Sequence, residues 1–125
     1  MKTTKTVRKA GFTLVEIMIV VAIIGLLAAI AIPNFVRARA TSQANACINN
    51  LRQIDAAVNE WALEQGQQTG AAPSMNTDLT PYIKLNSSGG IPQCPAQGTY
   101  TLGKVGDTPQ ISCSLSTLDP AHKLP

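Results

Sequence analysis

One acid stands in apolar surroundings. Glu16 is the sole charged side chain between Phe12 and Pro33, four residues past Phe12 in the stretch RKAGFTLVEIMIVVAIIGLLAAIAIP. A carboxylate in a membrane-length segment costs roughly 2.5–3.5 kcal/mol or more at the bilayer centre, so it needs a defined partner. Three thiols form the second candidate group: Cys47, Cys94 and Cys113. They fit no zinc spacing and include no C-x-x-C pair, so the sequence supplies no metal site. An exported domain allows one disulfide and leaves one cysteine over. The single histidine, His122, is the fourth residue from the C-terminus, which argues against a catalytic triad or a multi-histidine centre. No P-loop or other nucleotide motif is present, and nothing in the chain points to an enzyme.

Charge is unevenly placed. The formal net charge is +3, yet Lys2, Lys5, Arg8 and Lys9 all precede Phe12. Without them, 6 basic face 7 acidic side chains. The basic character belongs to the leader and gives no ground for nucleic-acid binding. Only Arg37 and Arg39 follow the apolar run closely, so the positive-inside bias puts the N-terminus in the cytoplasm and the C-terminal part outside.

These groups need elements to hold them. Residues 1–11 read as a basic leader. Residues 12–32 read as a helix of about 32 Å, enough to span a bilayer. Gly25, Ala28 and Ala29 keep it slender, suited to close approach by neighbouring helices. Pro33 removes the hydrogen bond to the Ala29 carbonyl and kinks the helix without having to end it. Beyond it Ala44, Cys47, Leu51, Ile54, Val58 and Trp61 recur every three or four residues, opposite Gln43, Asn45, Arg52, Asp55 and Glu60. That pattern is an amphipathic helix whose apolar stripe, Trp61 included, is core. Gln65-Gly66 is its stop signal. Residues 67–74 are small and polar, a linker. Residues 77–83 read as a short helix capped by Asn76 or Thr77, and residues 86–90 as a loop. Residues 99–102 and 110–115 alternate apolar and polar and predict a β-hairpin. The expected fold is α+β: residues 12–33 apolar helix, 34–66 amphipathic helix, 67–125 a small β domain on which the helix packs.

Arg8-Lys9-Ala10-Gly11-Phe12-Thr13-Leu14-Val15-Glu16 resembles the processing site of type IV prepilins and type II secretion pseudopilins, and residues 12–33 resemble the helix that follows it in that family. The resemblance implies cutting by a prepilin peptidase between Gly11 and Phe12, then N-methylation of the new amine on Phe12. It implies that Glu16 serves filament assembly and that Pro33 is the kinking proline. A freshly exposed amine on Phe12 costs several kcal/mol to bury alone, and Glu16 of a neighbouring subunit neutralises it. Fixing register is the best-attested use of such a buried pair. The competing reading of Glu16 is a carboxylate snorkelling to the interface. Major pseudopilins of type II secretion typically hold calcium in a C-terminal loop. Here Asp78, Asp107 and Asp119 are isolated, so calcium is unsupported and no cofactor is assigned.

Cys94 and Cys113 flank the hairpin and are expected to form a disulfide, a staple worth roughly 3 kcal/mol in the chain-entropy model. Cys47 lies on the apolar stripe as a buried free thiol, with pairing to Cys94 or Cys113 left open. The function expected is structural: a precursor in the bacterial inner membrane, trimmed and methylated by another enzyme. It would polymerise with copies of itself, through an inner-membrane assembly platform, into a periplasmic pseudopilus or surface pilus. ATPases elsewhere would drive it. The alternative is a secreted or membrane-tethered binding domain, exported by an ordinary signal peptide cut after Ala29-Ile30-Ala31.

Overall fold

The computed structural model describes residues 10–125. A single helix, α1, runs from Leu14 to Glu64 and passes through Pro33. Two short strands follow, β1 (Tyr100–Leu102) and β2 (Ile111–Cys113), paired antiparallel with Tyr100 opposite Cys113 and Leu102 opposite Ile111. This is the expected α+β architecture with its hairpin. The chain divides into two compact units between Val36 and Arg37.

In the second unit, α1 buries the predicted stripe. Ala44, Cys47, Leu51, Ile54, Val58 and Trp61 are all buried, and all but Ala44 cluster with Leu79, Ile83 and Ile111. Three-residue strands cannot hold themselves together in water. The helix therefore supplies most of the core, and β2 lays Ile111 and Cys113 against it. Polar side chains along the flanks of α1 fasten the rest of the unit. Asn50 Nδ2 donates to the Gln93 carbonyl at 3.0 Å, and Gln110 Nε2 donates to Asn59 Oδ1 at 3.2 Å.

The helix stops where Gln65-Gly66 predicts. Gly66 takes φ +61°, Gln67 N donates to the Ala62 carbonyl at 2.8 Å and Gly66 N to that of Leu63 at 3.4 Å. That pair of bonds is a Schellman motif, which satisfies carbonyls the helix end would otherwise orphan.

Two expectations need correction. The helix expected over residues 77–83 reduces to a 3₁₀ turn, Thr80–Tyr82, without a side-chain cap. The reason is local competition: Asp78 Oδ2 accepts from Ser74 N at 2.7 Å, and Ser74 Oγ meets Thr77 Oγ1 at 3.0 Å, so these side chains bind turns instead of a helix end. The linker is also tied down. Gly70 N donates to the Val105 carbonyl and Val105 N to that of Ala71, each at 2.8 Å. Gly106 makes this contact feasible, because a Cβ there would stand 2.5 Å from Thr69 Cγ2 and its φ is +90°. The loop over residues 86–90, by contrast, closes on itself: Asn86 Oδ1 accepts from Ser88 N at 3.0 Å and Gly90 N at 2.9 Å, and Asn86 N donates to the Gly90 carbonyl at 2.8 Å.

Tyr82 donates its hydroxyl to Glu64 Oε2 at 2.7 Å, which ties the end of α1 to the 3₁₀ turn. That bond to the Glu64 carboxylate is the main reason the phenol is held above the ordinary tyrosine range. A raised pKa means the bond is intact at neutral pH and is lost as pH climbs through the Tyr82 titration. In a spectrophotometric titration, Glu64→Gln should move the Tyr82 transition down toward the ordinary value, and Tyr82→Phe should remove it. Separately, Leu51→Ala should cost about 2–5 kcal/mol through the cavity it leaves, measured as a lower denaturant midpoint at unchanged slope.

Candidate functional site

Around the junction expected to be cut, residues 10–13 lie outside α1 and are exposed, with Phe12 88% exposed. A protease needs a reachable backbone, and residues 10–13 are exposed and outside regular structure. Thr13 and Glu16 then start the helix together. Thr13 Oγ1 accepts from Glu16 N at 3.3 Å, and Glu16 Oε2 accepts from Thr13 N at 2.7 Å and from Thr13 Oγ1 at 2.9 Å. Thr-x-x-Glu is a capping box: two orphan donors of the first turn are satisfied reciprocally. The acid also sits at the positive end of the helix, which favours its charge. Thr13 is thus a local partner for Glu16 besides the one expected on another subunit, and the Thr-x-x-Glu spacing carries it. Both bonds use Oε2, and among the described residues no donor meets Oε1.

Past this cap, every large apolar side chain over residues 12–36 is more than half exposed. α1 is the one helix among the described residues that is long and apolar enough to cross a membrane, and its apolar window has no buried residue. Pro33 lies inside α1, as expected.

A second cluster occupies the other unit. Cys47 comes from α1, Cys94 from the segment before β1, Cys113 from the end of β2, and His122 from the C-terminal tail. All four are buried, and their donor atoms lie within 4.8 Å of one another. The three cysteines are free thiols. Cys94 Sγ lies 3.4 Å from His122 Nδ1, and Tyr100 Oη donates to Cys47 Sγ at 3.5 Å. Burial, foremost, pushes the Cys47 thiol up to about 12. Burial works the same way on Cys94, but the N–H groups of Ala96 and Gly98 and the neighbouring Cys47 and Cys113 thiols outweigh it and hold Cys94 below the ordinary thiol range. The expected Cys94–Cys113 disulfide is not formed: the two thiols lie near each other but unbonded, and Cys47 and His122 lie just as near. No spacing in the sequence announces this group, because its members are 47, 19 and 9 residues apart and only the fold joins them.

Comparison with known proteins bears on the first site. Residues 7–32 match the family model described as the prokaryotic N-terminal methylation motif. The chain is 46% identical over 65 residues to the type IV major pilin protein PilA of Myxococcus xanthus, covering 52% of this chain and 30% of that protein. It is 40% identical over 83 residues to a fimbrial protein of Pseudomonas aeruginosa, covering 63% and 54%. Similarity to the type II secretion system core protein G of Klebsiella pneumoniae runs further, at 29% identity over 113 residues, 83% of this chain and 81% of that one. The chain spans only 30–44% of the first curated relatives it matches. No solved structure matches.

If the capping box holds the first turn, Thr13→Ala should cost about 0.5–2 kcal/mol there. Hydrogen exchange in detergent should then show faster amide exchange over residues 13–16 and unchanged exchange over residues 47–61.

Proposed function

We propose that this chain, whose first segment is a prokaryotic N-terminal methylation motif and whose relatives are type IV pilins and a type II secretion core protein, is a structural subunit of a type IV pilus or type II secretion-type pseudopilus. The observation that carries the reading is the order of parts at the N-terminus: an exposed Gly11-Phe12 junction, a capping-box acid at Glu16, then apolar helix with nothing packed on it.

In this reading a prepilin peptidase cuts between Gly11 and Phe12, and a methyl group is added to the new Phe12 amine. The precursor waits in the inner membrane with its N-terminus in the cytoplasm and its small domain in the periplasm. On assembly, the apolar helix exchanges lipid for the helices of identical subunits, and its small residues Gly25, Ala28 and Ala29 allow backbones to approach. The Phe12 amine of one subunit enters that apolar bundle together with the free side of a neighbour's Glu16 carboxylate. Neither charge is then buried alone, which would cost several kcal/mol. Pro33, lacking an N–H for the Ala29 carbonyl, softens one turn of α1 and is the bend point. The role is structural and not enzymatic. Likeness to the secretion core protein along most of both chains supports the pseudopilus form, and the stronger identity to pilins supports the shared N-terminal chemistry.

Intact mass of the mature protein tests processing: cleavage after Gly11 with one added methyl is expected, and a new N-terminus at Ile32 would instead mark an ordinary signal peptide and end the proposal. Glu16→Ala should leave cleavage and membrane insertion intact while sharply reducing sheared filament yield. Wild-type yield from that variant would overturn the assembly role of Glu16.

A further inference from the structure

We propose that Cys47, Cys94, Cys113 and His122 form a structural site for one divalent zinc ion. The donor set is one of the common closed zinc sets, three thiolates and one imidazole. A tetrahedral zinc with Zn–S near 2.3 Å and Zn–N near 2.0–2.1 Å places its ligand atoms about 3.6–3.8 Å apart. The four donor atoms lie within 4.8 Å of one another, and the Cys94 Sγ to His122 Nδ1 separation of 3.4 Å is already at that spacing. Sulfur-rich tetrahedral ligation favours zinc over magnesium or calcium, which take oxygen ligands.

What surrounds the sulfurs fits thiolates. Three thiolates around one divalent cation leave a net negative charge, and N–H or O–H donors must offset it. Cys94 Sγ faces His122 Nδ1 at 3.4 Å. Cys47 receives the Tyr100 hydroxyl, itself held by Asn50 Nδ2 at 3.3 Å. Such outer hydrogen bonds orient and tune ligands at metal sites. The backbone is shaped for the purpose as well. Gln97 takes φ 64°, a left-handed conformation, within a turn closed by Gln97 N donating to the Cys94 carbonyl at 3.0 Å. At Gly98 a Cβ would stand 2.6 Å from Cys113 Sγ and 3.2 Å from Cys94 Sγ, so only glycine lets the main chain come this close to both sulfurs.

The ligands also explain the tail. His122 is a buried polar residue in a segment without regular structure, 4% exposed. A metal would join that tail to α1, β2 and the segment before β1 at one point, where a domain with three-residue strands gains most from a staple. Cys94, Gly98 and Tyr100 line an open surface groove, which provides a way in. Binding releases the three thiol protons to solvent and oxidises nothing. The inference stands apart from filament assembly.

The full-length chain, purified in detergent without oxygen from zinc-supplemented cells, should carry one zinc per chain by elemental analysis. Cobalt(II) in its place should give tetrahedral ligand-field bands and thiolate-to-cobalt charge transfer. His122→Cys should keep the metal and strengthen the charge-transfer band, Cys113→Ser should weaken that band and the affinity, and Tyr100→Phe should cost about 10-fold in affinity. The His122→Cys variant keeps the test valid if a serine variant misfolds. A folded, reduced chain that takes up neither zinc nor cobalt would overturn the proposal. So would a chain isolated without metal and with Cys94 joined to Cys113, lighter by one hydrogen pair.

Discussion

Apolar surface that a chain leaves uncovered must be covered by something else. Over residues 12–36 this protein leaves every large aliphatic and aromatic side chain more than half exposed. At roughly 25 cal/mol per Å² of apolar area, no soluble monomer keeps such a helix in water. In the proposed subunit, lipid would cover it before assembly and sister helices afterwards. Since lipid tails are as apolar as leucine, the exchange between them is nearly neutral, and small residues and charge pairing decide it. Glu16 therefore carries weight out of proportion to its size. It is the one charged side chain in the segment, and so marks an axial position that the aliphatics cannot.

The same helix meets a different problem beyond Arg37. There its apolar stripe is narrow, and the remaining chain is too short in regular structure to build a core of its own. The strands contribute Ile111 and Cys113, the 3₁₀ region Leu79 and Ile83, the segment before β1 Cys94, and α1 the rest. Removing the helix from this unit would leave a hairpin with nothing to pack on. Its stability thus depends on contacts between segments far apart in sequence, together with polar ties such as Asn50 to the Gln93 carbonyl.

Features written in local periodicity were legible in the sequence. The stripe from Ala44 to Trp61 is buried as read, Gly66 ends the helix as read, and the two alternating segments pair as read. Each depends on residues within a few positions of one another. The capping box is also local, but a lone acid in an apolar run points first to a distant counter-charge and hides its bond to Thr13. The turn around Asp78 is ambiguous in sequence because serine, threonine and aspartate compete equally well for helix ends and for turns. The sulfur cluster was hidden for a different reason. Cys47, Cys94, Cys113 and His122 come from four separate segments, and only tertiary packing brings them together.

The loop over residues 86–90 spends its hydrogen bonds on itself, through the side chain and main chain of Asn86. Nothing in the core relies on what lies between Asn86 and Gly90. Selection by antibodies or phages would therefore meet little structural resistance there, and the tip can drift while the fold stays constant. For the same reason it is the natural place to graft a foreign epitope or a dye-binding peptide.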